Sequence, residues 1–179
     1  MTPGRQLTSR RQFLALAAAA PQRPQEDWDK WDVPFVASHD AVIMAMLKLA
    51  KVTEYDIVYD LGCGDGRIPI LAAQKFGARG VGIDIDPERI REAKDNAGSA
   101  GVRDKVRFIQ QDLFQADIRA ATVVTLYLLT SVNEKLKPKL RKELAPGTRI
   151  VSHQFGMGDW KPDRKTKARG RQVLMWVVP

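Results

Sequence analysis

The segment Asp60-Leu61-Gly62-Cys63-Gly64-Asp65-Gly66 constrains the fold of this chain more than any other feature. It follows a β-branched apolar run at 56–61 and precedes a helix-spaced stretch that ends at Phe76. Alternate glycines at such a junction let the backbone turn tightly and approach a ligand without a Cβ in the way. The pattern predicts a strand–loop–helix unit of an open α/β sheet, with the loop at the carboxyl end of its strand.

The rest of the chain extends that unit. Ser38 is placed to cap a helix with Val42, Ile43, Met46, Leu47 and Leu49 on one face, ending near Val52. A strand is expected at 56–62 and a helix at 66–76 with Pro69 in its first turn. A second strand covers 80–84. Asp86 then caps a helix that has Pro87 at its first position and runs to about Ala100. Strands follow at 106–110 and 122–128, a helix disturbed by Pro138 at 132–144, and strands at 148–155 and 171–178. Strands alternating with helices predict a Rossmann-like α/β fold, a mostly parallel sheet with helices on both faces. The last strand follows no helix, so it is expected antiparallel at an edge.

Three carboxylates give the glycine loop a chemical meaning. Asp60 precedes the glycines, where an acid can meet an ammonium group directly or through water. Asp84 closes the next strand, where a carboxylate can accept from both hydroxyls of a ribose. Asp112 follows the third strand and is placed to accept from an adenine amino group, with Leu113 or Ile85 against the ring. A dinucleotide fingerprint would need glycine at position 67, which is Arg67. Ammonium, ribose and adenine together describe S-adenosylmethionine (SAM), with S-adenosyl-L-homocysteine as product. The cofactor set is Asp60, Gly62, Gly64, Asp65, Gly66, Asp84, Ile85, Asp112 and Leu113.

Composition narrows the remaining classes. The single cysteine, Cys63, excludes a disulfide within the chain, and no Cys/His cluster has zinc spacing, so no metal is expected. His39 and His153 read as structural or solvent-facing. No apolar run approaches the 18 residues of a membrane span. The net charge of +8 sits in two places. Arg5, Arg10, Arg11 and Arg23 lie in a tail without acids. Lys161, Arg164, Lys165, Lys167, Arg169 and Arg171 lie in a loop at 161–171 that holds only Asp163. Such a loop either stays solvated or recruits an acidic protein surface or a phosphate backbone.

Residues 1–30 are set apart from a single domain at 31–179. Ser9-Arg10-Arg11-Gln12-Phe13-Leu14, with the apolar stretch to Ala20, has the form of a twin-arginine export signal, and a disordered tail is the other reading. SAM is a cytosolic cofactor, so its supply favours the cytoplasm while the tail points to export.

The fuller pattern resembles a known family. It comprises Asp32-Val33-Pro34-Phe35-Val36, the loop at 60–67, Leu126-Tyr127-Leu128-Leu129, Arg149-Ile150-Val151-Ser152-His153-Gln154-Phe155 and Gly158-Asp159-Trp160-Lys161-Pro162. Residues 57–116 resemble class I, seven-strand SAM-dependent methyltransferases. The whole set, over about 32–178, resembles the small lysine methyltransferases that act on mitochondrial ATP synthase subunit c and the ADP/ATP carrier, together with similar archaeal enzymes. This implies a protein-lysine N-methyltransferase. A small-molecule or an RNA methyltransferase stays open as the alternative. Class I members carry a seventh strand, for which this chain shows no pattern, so the sheet is expected to lack it. The resemblance also leaves the acceptor to be bound by an aromatic channel. Tyr127 and Trp160 are the candidate catalytic residues, with Phe35 and Phe155 beside them. Tyr127-Leu128-Leu129-Thr130 stands where enzymes methylating amino groups of DNA bases and glutamine carry an Asn/Asp-Pro-Pro-Tyr/Phe unit.

Overall fold

Residues 37–179 are described by a computed structural model. The tail at 1–30 with its twin-arginine stretch, the unit at 32–36 and Phe35 lie outside the described residues. The elements are α1 (Asp40–Leu49), β1 (Ile57–Leu61), α2 (Arg67–Phe76), β2 (Arg79–Asp84), α3 (Pro87–Ser99), β3 (Val106–Gln110), β4 (Val123–Leu126), α4 (Thr130–Glu143), β5 (Arg149–His153), β6 (Arg164–Ala168) and β7 (Arg171–Val177).

The strands form one sheet in the order β3-β2-β1-β4-β5-β7-β6. The first five are parallel, and β7 runs antiparallel to both β5 and β6. From β1 the chain moves one way to β2 and β3, and from β4 the other way to β5. Right-handed crossovers therefore put α2 and α3 on one face and α4 on the other. The helix-bearing first face also holds α1, whose Val42, Ile43, Met46 and Leu47 pack with Val58, Val123, Val151, Val173 and Met175. A second cluster joins α2 and α3 through Ile70, Ala73, Ile90, Ala93 and Phe108.

Two expectations at the carboxyl-terminal end are corrected. The sheet has seven strands, and the basic segment at 161–171 is no loop: its centre is β6, the edge strand. Its sequence Arg-Lys-Thr-Lys-Ala lacks apolar alternation because an edge strand is wetted. Only Ala168 packs on the core, and lysines there discourage pairing with other sheets. The last strand is consequently interior, flanked by β5 and β6.

Smaller corrections have local causes. His39, not Ser38, caps α1, its ring accepting from the Ala41 amide at 3.2 Å. The helix stops at Leu49, before the expected Val52, because Lys51 turns left-handed at φ 52° and the Val52 amide closes back on the Leu47 carbonyl. No helix joins β5 to β6. A strap at 154–163 returns the chain along α4, held by Asn133 donating to the Phe155 and Gly156 carbonyls and by an ion pair between Lys137 and Asp159.

Candidate functional site

The sheet order reverses between β1 and β4, and ligands of open α/β sheets bind at the carboxyl ends beside such a switch point. The glycine loop occupies that place. Gly62, Gly64 and Gly66 stand at φ 80°, 51° and 79°, a region that admits other residues at a cost. The amides of Gly62 and Cys63 donate to the Ile83 carbonyl at 2.8 and 3.0 Å, which lashes the loop to the end of β2. Gly66 has no room for a side chain: a Cβ would lie 2.6 Å from Phe108 and 2.8 Å from Ala93.

Asp84 shapes the loop as well as facing it. One carboxylate oxygen accepts from the Gly64 amide at 2.8 Å and the other from the Asp86 amide at 3.0 Å. Each oxygen keeps further lone-pair capacity, so a vicinal diol would find two acceptors. Burial raises the Asp84 pKa against the pull of these amides. Beside it Ile85 is 42% exposed, an apolar side chain available to a flat ring. Leu113 is half-buried in the loop after β3. Asp112 in that loop accepts from the Phe114 amide at 2.9 Å and from the Gln115 side chain at 3.2 Å, retaining capacity for an amino group.

Asp60 is buried at 3% exposure and accepts from the Thr125 hydroxyl at 2.7 Å. Burial, followed by the nearby Asp84 and Asp65 charges, pushes its pKa up to about 8, against the Thr125 hydrogen bond. A buried carboxyl surrounded by acids is a site that a cation would relieve. Asp65 is different from its expected place in the cofactor set. Its carboxylate is committed to Arg67, whose Nε lies 2.9 Å away, and Arg67 in turn donates to the Ser38 carbonyl. It clamps the loop to the start of α1.

Across the switch point, Tyr127 follows β4 and stacks on His153 at the end of β5, with ring centroids 3.8 Å apart. Phe155 extends the stack at 6.0 Å. His153 is buried, its Nδ1 2.8 Å from the Ser38 hydroxyl and its Nε2 without a partner among the described residues. Burial, helped by the Arg171 charge, pushes its pKa down to about 4, so the ring is neutral at physiological pH.

Trp160 is not brought to this place. It lies at the opposite end of the strands, tilted against Trp176, which pairs with Ile150. Its carbonyl accepts from the Trp176 indole at 2.8 Å, and Arg141 covers its ring at 4.5 Å. The strap carries it there, and no local pattern marks a strap. From the sequence, His153 reads as structural or solvent-facing, and Thr125 is not singled out. A lone histidine closing an apolar strand was the available signal for the first. For the second there was none, because the partner lies on another strand.

Fold, switch-point loop and acidic strand ends define a class I SAM-dependent methyltransferase. The comparisons make the class narrower. Residues 60–164 match the ANTKMT methyltransferase domain, and the chain belongs to that family. It is 52% identical over 151 residues to a protein-lysine N-methyltransferase of Saccharolobus islandicus (strain REY15A), covering 82% of this chain and 94% of the relative. It is 34% identical to the adenine nucleotide translocase lysine N-methyltransferase of Mus musculus over 73% of this chain, and spans only 56% of that relative. Among solved structures it resembles an RNA methyltransferase from Salinibacter ruber in complex with S-adenosyl-L-homocysteine. The TM-score is 0.79 and the identity 56%, over 80% of this chain and 94% of that one.

Proposed function

We propose that this chain is a protein-lysine N-methyltransferase that holds SAM along the carboxyl ends of β1, β2 and β3 and receives its acceptor over Tyr127. SAM, when bound, supplies a methyl group already activated by a sulfonium. In this reading Asp60 meets the methionine ammonium and Asp84 accepts from the ribose hydroxyls. Ile85 and Leu113 flank the adenine, and Asp112 accepts from its amino group. Gly62 and Gly64 let the backbone come close.

The observation that carries the acceptor assignment is the Tyr127–His153 stack with its neutral imidazole. A lysine attacks only as the free amine, since ammonium has no lone pair. A desolvating aromatic wall with no carboxylate in the stack lowers the amine's pKa and favours that form. With SAM bound, the amine lone pair would form the new N–C bond as the S–CH3 bond broke, its electrons returning to sulfur. The extra proton then leaves the nitrogen to solvent. The residues contribute alignment and exclusion of water rather than a covalent intermediate. The name of the Saccharolobus islandicus relative supports this acceptor. The Salinibacter ruber relative supports a second reading, RNA as acceptor.

Methyl-labelled SAM, the full chain and a native cell extract separate the two. Label that survives RNase and is recovered as methyl-lysine after hydrolysis is the expected result. Label removed by RNase would refute the lysine reading and establish the second. Label confined to small molecules would refute both.

A further inference from the structure

The tip of the β6–β7 hairpin stands at the reacting edge of the sheet. β7 is antiparallel to β5, with Val173 opposite His153, and Ala168 of β6 is opposite Arg171. The turn between them, Arg169-Gly170, therefore points the same way as the carboxyl ends that carry the glycine loop and Tyr127. Both turn residues have positive φ, 50° and 75°, the conformation of a tight two-residue hairpin. Ala168 anchors the hairpin to the α1 core, so the tip is held by packing.

Lys167, Arg169 and Arg171 at this tip are exposed, and none forms an ion pair among the described residues. Side chains alternate along β7, so Arg171 shares the face of Val173, the face on which the Tyr127–His153 stack lies. Its charge is felt by His153. Three exposed cations, without an ion-pair partner among the described residues, thus border the Tyr127–His153 stack.

We propose that Lys167, Arg169 and Arg171 form a docking site for acidic residues that flank the acceptor lysine of a protein substrate. The inference rests on the lysine reading above. Cations on a rigid tip beside the acceptor channel attract carboxylates and repel a basic flank. An acidic protein segment fits better than RNA. Among the described residues the hairpin presents no exposed aromatic side chain for base stacking: Trp176 of β7 is fully buried, and Trp160 is covered by Arg141. A tip with three charges also matches a few carboxylates rather than a long phosphate track.

The test uses the full chain and three peptides of equal length, each with one lysine, flanked by acidic, neutral or basic residues. Methyl transfer is measured as kcat/KM for the parent and for the triple charge reversal Lys167→Glu, Arg169→Glu, Arg171→Glu, with SAM affinity as a control for folding. The acidic peptide is expected to exceed the neutral one at least tenfold at low salt, mainly through KM. The advantage should shrink at 0.5 M salt and invert in the reversed variant, while SAM affinity stays the same. Equal kcat/KM for the three peptides, or a preference unmoved by charge reversal, would overturn the docking site and leave the lysine reading standing. No label in any peptide, with label in RNA that falls on charge reversal, would overturn both.

Discussion

Replacing Asp60 by asparagine should stabilise the protein and weaken its cofactor binding. The carboxyl is 3% exposed, and burial beside Asp84 and Asp65 pushes its pKa up to about 8. In the unfolded chain the same group titrates near 4, so at pH 7.5 folding must return a proton to it. Each pH unit across that interval is worth about 1.4 kcal/mol, which sets a ceiling of roughly 4–5 kcal/mol on the gain. Asparagine keeps an acceptor for the Thr125 hydroxyl but adds an amide NH2 that must find a partner, at about 1–3 kcal/mol. The net expectation is about 2 kcal/mol, or about 5 °C in Tm for a domain of this size. Its pH dependence identifies the cause. Below about pH 4 both chains carry an uncharged side chain in either state, and the difference is flat. As pH rises from 4 to 8 the unfolded parent loses a proton that the folded parent keeps, so the parent loses stability relative to the variant. Thermal denaturation of both chains without cofactor, from pH 5 to 9, measures this. A variant less stable than the parent at pH 7.5, or a difference that does not change with pH, would refute the reasoning. Calorimetry of SAM binding in buffers of different ionisation heat gives the second half. The parent should release close to one proton at pH 7, and the variant should release none and bind at least tenfold more weakly.

Three further substitutions test the site. Asp84→Ala should lower SAM affinity at least 100-fold in titration calorimetry, since bonds from two hydroxyls to a charged acceptor are worth about 3 kcal/mol together. Its Tm should fall by a few degrees, because the amide of buried Gly64 in the glycine loop loses its acceptor, at about 1–3 kcal/mol. Tyr127→Ala should leave SAM affinity within threefold of the parent and cut turnover more than tenfold, while Tyr127→Phe, which keeps the stack on His153, should retain most of it. Unchanged turnover in the alanine variant would remove Tyr127 from the acceptor channel. Gly66→Ala should cost about 3 kcal/mol in chemical denaturation, from a left-handed backbone and a Cβ driven into Phe108 and Ala93. A fully stable variant would mean that the loop is free to move.

What was legible in the sequence is what local chemistry dictates. The Asp86-Pro87 start of α3 was readable because a cap and a pre-set φ act within a few residues. The strand–loop–helix turn at 62–66 was readable because its left-handed backbone and tight packing favour glycine. Asp84 was readable from its place at a strand end. Hidden features depend on distant partners. Ser38 fails as the cap of α1 because its hydroxyl is taken by His153, 115 residues away. The pairing of Asp65 with Arg67 was not read, although an acid–arginine pair two residues apart could have been suspected. β6 escaped detection because water, not core, chooses the residues of an edge strand. Trp160 was misjudged because a tryptophan between glycine and charged residues looks exposed until the strap folds it onto Trp176.

The carboxyl edge of the sheet is divided by charge, and the division follows from the two molecules that meet there. Asp60, Asp65, Asp84, Asp86 and Asp112 lie on the half built by β1, β2 and β3, and Lys167, Arg169 and Arg171 on the half built by β6 and β7. Strands are spaced about 4.8 Å apart, so β1 and β7, three positions apart in the sheet, are separated by roughly 14 Å. That exceeds the screening length of about 8 Å at physiological ionic strength. Asp60 and Asp65 are buried and Asp65 is paired with Arg67, so Asp84, Asp86 and Asp112 carry the accessible negative charge of their half, and it and the hairpin barely neutralise one another. The neutral aromatic stack of Tyr127, His153 and Phe155 occupies the ground between them. A positive charge on the acceptor nitrogen would be drawn to the acids on one side and repelled by the hairpin on the other. In the proposed reading the stack, which among the described residues includes no carboxylate, favours the uncharged amine. Asp60, Asp84 and Asp112 are in the same reading left to the cofactor, and the hairpin to whatever carries the lysine in.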